Sequence, residues 1–439
     1  MRARLLGVLL LAGALPAAGQ AAAPRRSRPE DQERTDRLIV KFRDRKAARA
    51  AALTAAGLGP LSAAAGVRLA HHGRMSGDAQ VLRLPDRMPL AQVEALLEKI
   101  RRDPSVEYAE PDRVRQPLRI PNDPRYWDQW HYFAAASTAG AANLPAAWDI
   151  TTGDPGVVTA VIDTGWLDHQ DLAGRKVPGY CFITDAARAN NAACTPGALT
   201  SDPADPGDWV SESDSDICPG SLCNCDVVDS SWHGTHVAGT IGASSDNGVG
   251  VAGVNWVSTI LPIRVLGKCG GYDSDIINGM EWAAGIPIPG YPDNPYPAKV
   301  LNLSLGGSGA CPAAWQAAIS SVTDHGAVVI VSAGNDGTNL AFAPKTPASC
   351  SGVITVAAVG PAGEKAFYSN YGSAVAIAAP GGNDPAGTDS KKQVLSTLNS
   401  GLKVPVDVGA AGDTYGGYQG TSMSAPHVSG VASLMFSLP

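Results

Sequence analysis

The stretch VVTAVIDTG, residues 157–165, is a run of apolar and β-branched residues that ends on an acid, Asp163, and a small turn. A strand apolar along its whole length, with no in–out alternation, is covered on both faces, as the strands of a parallel sheet between helices are. Four more runs of this kind follow: TILPIRVLG (259–267), KVLNLSLGG (299–307), AVVIVSAGN (327–335) and VITVAAVG (353–360). They alternate with helical stretches such as HGTHVAGTIGA (233–243) and PAAWQAAISSVTDHG (312–326). The pattern predicts an α/β fold, a parallel sheet with helices on both faces, whose ligands bind at the carboxyl ends of the strands.

Upstream the periodicity differs. RLIVKF (37–42) reads as a strand, residues 44–56 as an Ala-rich helix, and VRLAHH (67–72) leads to the strand-like AQVLRLP (79–85). A helix over 89–102 carries Val93, Leu96, Leu97 and Ile100 on one face, and VEYAEP (106–111) is extended again. The order β-α-β-β-α-β is that of a ferredoxin-like α+β module. Proline and charge then cluster in PDRVRQPLRIPNDP (111–124), which marks a domain boundary. At the front, Arg2 and Arg4 precede an apolar run over 5–15 and small residues over 18–23, the layout of a secretory signal. That run is interrupted at Pro16 and is too short for a membrane anchor, which needs about 20 residues. The expected organisation is a signal peptide, 1–23; a leading module, 24–117; and an α/β domain, 118–439.

Composition supports a soluble, exported enzyme: 439 residues, 44% hydrophobic and 17% charged, with 49 Gly and 33 Pro in no repeating period. Residues 24–117 hold 19 Lys and Arg against 13 Asp and Glu, whereas residues 118–439 hold 13 against 28. The acidic body argues against nucleic acid as a partner and is compatible with bound cations. All eight cysteines lie between Cys181 and Cys350, and in an oxidising compartment they are expected to pair. Cys218, Cys223 and Cys225 face no second CxxC or HxxxH, so disulfides are the better reading than zinc.

Three patches carry residue types suited to peptide hydrolysis. Asp163 follows a buried strand in AVIDTG; His233 opens a helix in SWHGTHVAG (231–239); Ser422 stands among small residues just ahead of a helix in GTSMSAPHVSG (420–430). A serine hydroxyl is a weak nucleophile until a neutral imidazole takes its proton, and a carboxylate on the far nitrogen fixes the tautomer. No G-x-S-x-G elbow occurs in the chain, which argues against a lipase or esterase.

Together, and in the order Asp, His, Ser, these patches resemble the subtilisin-like serine protease family over essentially all of residues 120–439. The resemblance implies a secreted endopeptidase working through an acyl-enzyme on protein and peptide substrates, with Asp163, His233 and Ser422 as catalytic triad and Asn335 in the oxyanion hole. It implies a substrate cleft walled by Ser304, Leu305 and Gly306 on one side with Ala333 and Gly334, and by an edge strand containing Leu266, Gly267, Gly270 and Gly271. His236 and His427 are expected in the core. It also implies structural calcium, held by Asp171 in DHQDL (168–172) and by Asp246, Asn247, Val249 and Val251 of the loop SSDNGVGV (244–251), which is one residue longer than the family's usual form. The acidic insertion SDPADPGDWVSESDSD (201–216) holds either a second ion or solvent. The leading module resembles the family's inhibitory prosegment, an intramolecular inhibitor removed autocatalytically near residues 115–120. The enzyme is expected to act as a monomer, with no nucleic-acid or membrane partner. Cys311 and Cys350 flank the helix and strand that carry Asn335 and are expected to pair; Cys181 is expected to pair with Cys225. Family members continue for several tens of residues past the helix after the nucleophile, so the end at Pro439 is expected to be truncated.

Overall fold

Leu38, Val40 and Phe42 alternate with more exposed neighbours along β1 (Arg34–Phe42), as a strand with one face in a core requires. β1 pairs antiparallel with β3 (Gln80–Pro89) and β4 (Val106–Pro111), and β2 (Ala70–Arg74) adds to β3, giving the sheet order β2-β3-β1-β4. Among the described residues two helices accompany this sheet, α1 (Gly59–Ala65) and α2 (Leu90–Arg101). α2 buries Val93, Leu96, Leu97 and Ile100, one stripe at i, i+3, i+4 and i+7. This is the ferredoxin-like arrangement. The computed structural model describes residues 34–44, 58–113, 119–190, 194, 201–216, 225–407 and 411–439. The expected signal peptide, most of the helix expected over 44–56, most of the expected maturation junction, Cys218 and Cys223 lie outside the described residues.

The chain divides after Pro117 into two compact units, each with its own core. In the second unit seven strands form one parallel sheet: β5 (Val158–Asp163), β6 (Tyr180–Cys181), β7 (Thr259–Arg264), β8 (Val300–Leu303), β10 (Val328–Ser332), β12 (Val353–Val359) and β13 (Ile377–Pro380). Their order is β13-β12-β10-β8-β5-β7-β6, so β5 and β8 are central. Two short antiparallel ladders accompany it, β9 (Gly307–Ser308) with β11 (Lys345–Thr346) and β14 (Val394–Asn399) with β15 (Asp413–Tyr418).

Both faces of the sheet are covered. Ala160 and Ile162 of β5 pack with Ile276 and Met280 of α4 (Asp273–Ala283) and Trp315 and Ile319 of α5 (Ala313–Asp324). Val161 between them points the other way, to Val237 and Ile241 of α3 (His233–Gly242) and Met423 of α6 (Thr421–Phe436). That two-sided burial is why β5 reads as an unbroken apolar run.

Three disulfides lie among the described residues. Cys311 pairs with Cys350, with Cα atoms 5.0 Å apart, tying the start of α5 to the segment before β12. Cys181, at the end of β6, pairs with Cys194, 13 residues on and with Cα atoms 5.3 Å apart, and not with Cys225. Cys225 instead pairs with Cys269 in the turn after β7.

Candidate active site

Asp163 is the last residue of β5 and is fully buried. Its Oδ1 accepts the Nδ1–H of His233 at 2.7 Å and the Thr164 N–H at 2.7 Å. The Thr164 hydroxyl accepts the Gly234 N–H at 3.0 Å and donates to Asp205 Oδ2 at 2.7 Å, so the turn after β5 is stitched to the start of α3. Gly234 permits this approach: a Cβ there would fall 2.3 Å from the Gly165 carbonyl oxygen. Trp232, just before His233, is left-handed at φ 49°, and its buried indole donates to the Gly401 carbonyl at 2.7 Å. With Nδ1–H given to the carboxylate, the Nε2 of neutral His233 is the free base. Burial alone lowers this imidazole, but the carboxylates of Asp163, Asp208 and Asp205 outweigh it and hold its pKa above the ordinary 6.5.

Ser422 is the second residue of α6. Its hydroxyl donates to the Ser304 carbonyl at 3.1 Å, while the Ser304 hydroxyl donates to the Ser422 carbonyl at 2.8 Å, a reciprocal tie to the end of β8. Ser422 and His233 line one cavity of about 380 Å³ with Asn335, Gly420 and Met423. The hydroxyl is thus not bonded to His233 in this structure; catalytic hydrogen bonds commonly form or tighten only when substrate is present. Asn335 uses its Oδ1 to accept the Thr421 N–H at 2.9 Å and the Thr421 hydroxyl at 2.8 Å. This fixes the amide so that Nδ2 faces Gly420, where a Cβ would stand 3.5 Å from it.

A cleft of about 450 Å³ adjoins this cavity at His233. It is lined by Leu266, Gly267, Gly270 and Gly271 on one side and Ser304, Leu305 and Gly306 on the other. The first wall, expected as an edge strand, is folded back on itself. Gly267 and Gly270 bond to each other, and Cys269 and Gly270 adopt φ values of 60° and 89°, so the segment doubles back where Cys225 tethers it. Ala333 and Gly334 are not among the residues lining this cleft. Ala333 is fully buried and its backbone is bonded to Val356 and Asn370, while the Gly334 N–H is given to the Thr421 hydroxyl.

The expected calcium residues come together only in part. Asp171 is buried, with Oδ1 accepting from Asn247 Nδ2 at 3.0 Å and Oδ2 from the Val251 N–H at 2.8 Å. The Asp246 carboxylate, however, is exposed and accepts the Asn122 N–H, away from Asp171. The acid that the fold buries near Asp171 is Asp123, whose Oδ2 accepts the Asp246 N–H at 2.7 Å. Burial, with the neighbouring Asp123 charge adding to it, pushes Asp171 up to about 6. Among the described residues no three His, Cys, Asp or Glu side chains converge in a metal-holding group. The donor set is two carboxylates with amide and carbonyl oxygens, the hard oxygen chemistry that suits calcium. Asp123 is missing from the sequence reading because it lies 48 residues before Asp171 and no loop motif marks it.

Asp205 and Asp208 were read from the sequence only as part of an acidic insertion. The structure puts Asp205 under the Asp163 turn, fully buried, where burial and then the Asp208 charge push it up to about 7. His236 and His427 are buried away from Ser422's hydroxyl and donate to backbone carbonyls.

The profile of the subtilase family matches residues 154–438, and that of the fervidolysin N-terminal prodomain matches residues 20–112. The chain is 43% identical over 359 residues to an extracellular basic protease of Dichelobacter nodosus, covering 82% of this chain and 55% of that protein. It is 40% identical over 385 residues to an extracellular protease of Xanthomonas campestris pv. campestris, covering 88% of this chain and 61% of that protein. It therefore spans less than two thirds of the length of these relatives. Among solved structures, that of proteases from Pseudoalteromonas arctica matches with a TM-score of 0.64 at 48% identity, over 72% of this chain and 86% of that chain. Among the described residues no helix is long and apolar enough to cross a membrane. By sequence and by fold, the chain belongs to the subtilase family.

Proposed function

We propose that the chain is a secreted serine endopeptidase made as a precursor, with residues 1–23 a signal peptide, 24–117 an inhibitory prosegment and 118–439 the catalytic domain. The observation that carries this reading is the 2.7 Å bond from His233 to buried Asp163 at a mouth shared with Ser422 and Asn335. The Ser422 hydroxyl turns to His233 Nε2 and gives up its proton as Oγ attacks the scissile carbonyl carbon. The oxyanion is held by Asn335 Nδ2–H and the Ser422 N–H at the start of α6. The intermediate collapses as His233 passes the proton to the leaving amine, which leaves an ester on Ser422. Water, deprotonated by His233, then hydrolyses that ester. Asp163 stays ionised throughout and stabilises the imidazolium.

The match to a prodomain over residues 20–112 supports the zymogen reading, with first cleavage made by the enzyme on its own junction. Calcium is proposed as a structural ion held by Asp171 and Asp123 with Asn247 and the carbonyls of Val249 and Val251. It would fix surface loops and take no part in the chemistry.

The test pairs two treatments. A serine-directed phosphonylating reagent should inactivate at once by labelling Ser422, and Ser422→Ala should abolish casein hydrolysis while leaving the N-terminal unit attached. A calcium chelator should lower the melting temperature without stopping turnover immediately. Instant loss of turnover on chelation in folded protein, with no effect of the serine reagent, would mean a metalloprotease instead.

A further inference from the structure

The cleft carries a negative charge beside His233 that neither the nucleophile nor the oxyanion donors use. Asp208 lines the cleft together with Thr164, Ser231 and His233. Its Oδ1 accepts the Ser231 N–H and its Oδ2 the Ser231 hydroxyl, each at 2.7 Å. The carboxylate is thereby pinned two residues ahead of His233. A carboxylate has about four acceptor positions, and Ser231 takes two of them.

Two cations near this cleft are bound to other groups. Lys268 Nζ stands 2.9 Å from Asp214 Oδ2 and lies over the Trp209 ring at 4.6 Å. Arg188 Nη1 donates to the carbonyls of Lys268 and Cys269, and its guanidinium lies over the Tyr272 ring at 4.9 Å. Among the described residues no Lys or Arg pairs with Asp208. Asp273, the other carboxylate on the cleft, stands in the first turn of α4, where the helix dipole accounts for it. Asp208 lies outside any helix, and besides Ser231 it faces the cleft.

An extended substrate alternates its side chains between two faces. The residue before the scissile bond occupies the wall of Ser304 to Gly306, so the residue before that projects toward His233 and Asp208. We propose that Asp208 selects Lys or Arg as the second residue ahead of the scissile bond. A long basic side chain lays its methylenes along Leu266 and brings its cation to the open acceptor positions of Asp208. This rests on the reading of the cleft as a peptidase groove.

The test uses protein purified from expression of the full chain and four fluorogenic peptides that differ only at that position: Lys, Gln, Ala or Glu. Lys should exceed Gln by about tenfold in kcat/KM, the scale of one hydrogen bond to a charged group, with Glu poorest. Asp208→Asn, which keeps the shape and an acceptor for Ser231, should bring the Lys-to-Gln ratio close to one, and Asp273→Asn should leave the ratio little changed. Raising salt from about 50 to about 500 mM should narrow the ratio in the unmutated enzyme, a readout that needs no variant. A ratio near one in the unmutated enzyme, or one that survives Asp208→Asn, overturns the proposal. Equal loss in Asp273→Asn overturns it too, since the cause would then be the general field of the cleft. Hydrolysis of none of the four peptides would overturn the peptidase reading itself.

Discussion

The mouth of the cleft and the core just below it both hold histidines, and the two places treat them in opposite ways. His233 and His236 are three residues apart on α3. At the mouth, three carboxylates surround His233 and lift its pKa above 6.5 against the effect of burial. In the core, His236 donates from Nε2 to the Val394 and Gly416 carbonyls at 3.1 Å, stacks on Tyr418 and is pushed down to about 3 by burial. His427 gives Nδ1–H to the Met423 carbonyl at 2.7 Å, so its Nε2 accepts from His131 Nδ1–H at 2.8 Å, and burial pushes it down to about 4. The same side chain has its protonated form favoured where acids converge and its neutral form favoured where only carbonyls and rings do. Type and spacing along the helix do not distinguish them; surroundings do.

The largest test of that contrast is the pair His233→Ala and His236→Leu. The first should reduce kcat by about a million-fold, the scale known from subtilisin itself, in protein that still melts cooperatively. The second should leave turnover per folded molecule within a few-fold. Loss of turnover in well-folded His236→Leu would break the division between mouth and core. Asn335→Ala comes next, with a fall of about 100- to 1,000-fold in kcat, again on the scale measured for subtilisin, and little change in KM. A change mainly in KM would show that the amide binds substrate in the ground state.

His233, Ser422 and Asn335, which line one cavity, and Asp163, buried behind His233, each stand in a contiguous run with strong local character, which is what singled them out in the sequence. The sheet was legible for the same reason, as in β5, where burial on two faces leaves one apolar word. What was not legible depends on partners distant in the chain. Asp123 meets the backbone of residue 246, Asp205 meets Thr164 across 41 residues, and Cys225 reaches Cys269 across 44. No local pattern records such meetings. Nor did the run around Ala333 record that its N–H bonds to the Val356 carbonyl and that its side chain is buried.

A smaller effect, on stability, sharpens the core side. His236→Leu removes the donor for two buried carbonyls, a loss of about 1–3 kcal/mol by unsatisfied-acceptor cost. Urea denaturation at neutral pH measures it. A variant as stable as the parent would mean that the stack on Tyr418, and not the hydrogen bonds, fixes this histidine's place.

The smallest effect is a displacement along the pH axis, and its sign differs between the two regions. In the proposed mechanism only neutral His233 accepts the Ser422 proton, so kcat/KM should fall as pH drops through the raised pKa, with its acid-limb midpoint above 6.5. Asp163 from β5, Asp205 and Asp208 from the acidic insertion and neutral His236 on α3 are the titratable groups acting on it. Asp208→Asn removes one of the three carboxylates and should move the limb downward. For stability, a raised folded pKa means that the His233 contribution is complete below 6.5 and is lost as pH rises through the folded value. His236 and His427 have depressed folded pKa values, so their contribution is present above 6.5 and is lost as pH falls toward about 4 and about 3. His131 and His169 are also lowered by burial, so four buried histidines against one at the mouth should give a melting temperature that declines on acidification below 6.5, and His236→Leu, with no proton to take up, should lessen the decline. An acid limb below 6.5 would show that the carboxylates do not outweigh burial at His233, and an equally steep decline in His236→Leu would move the acid sensitivity out of this part of the core.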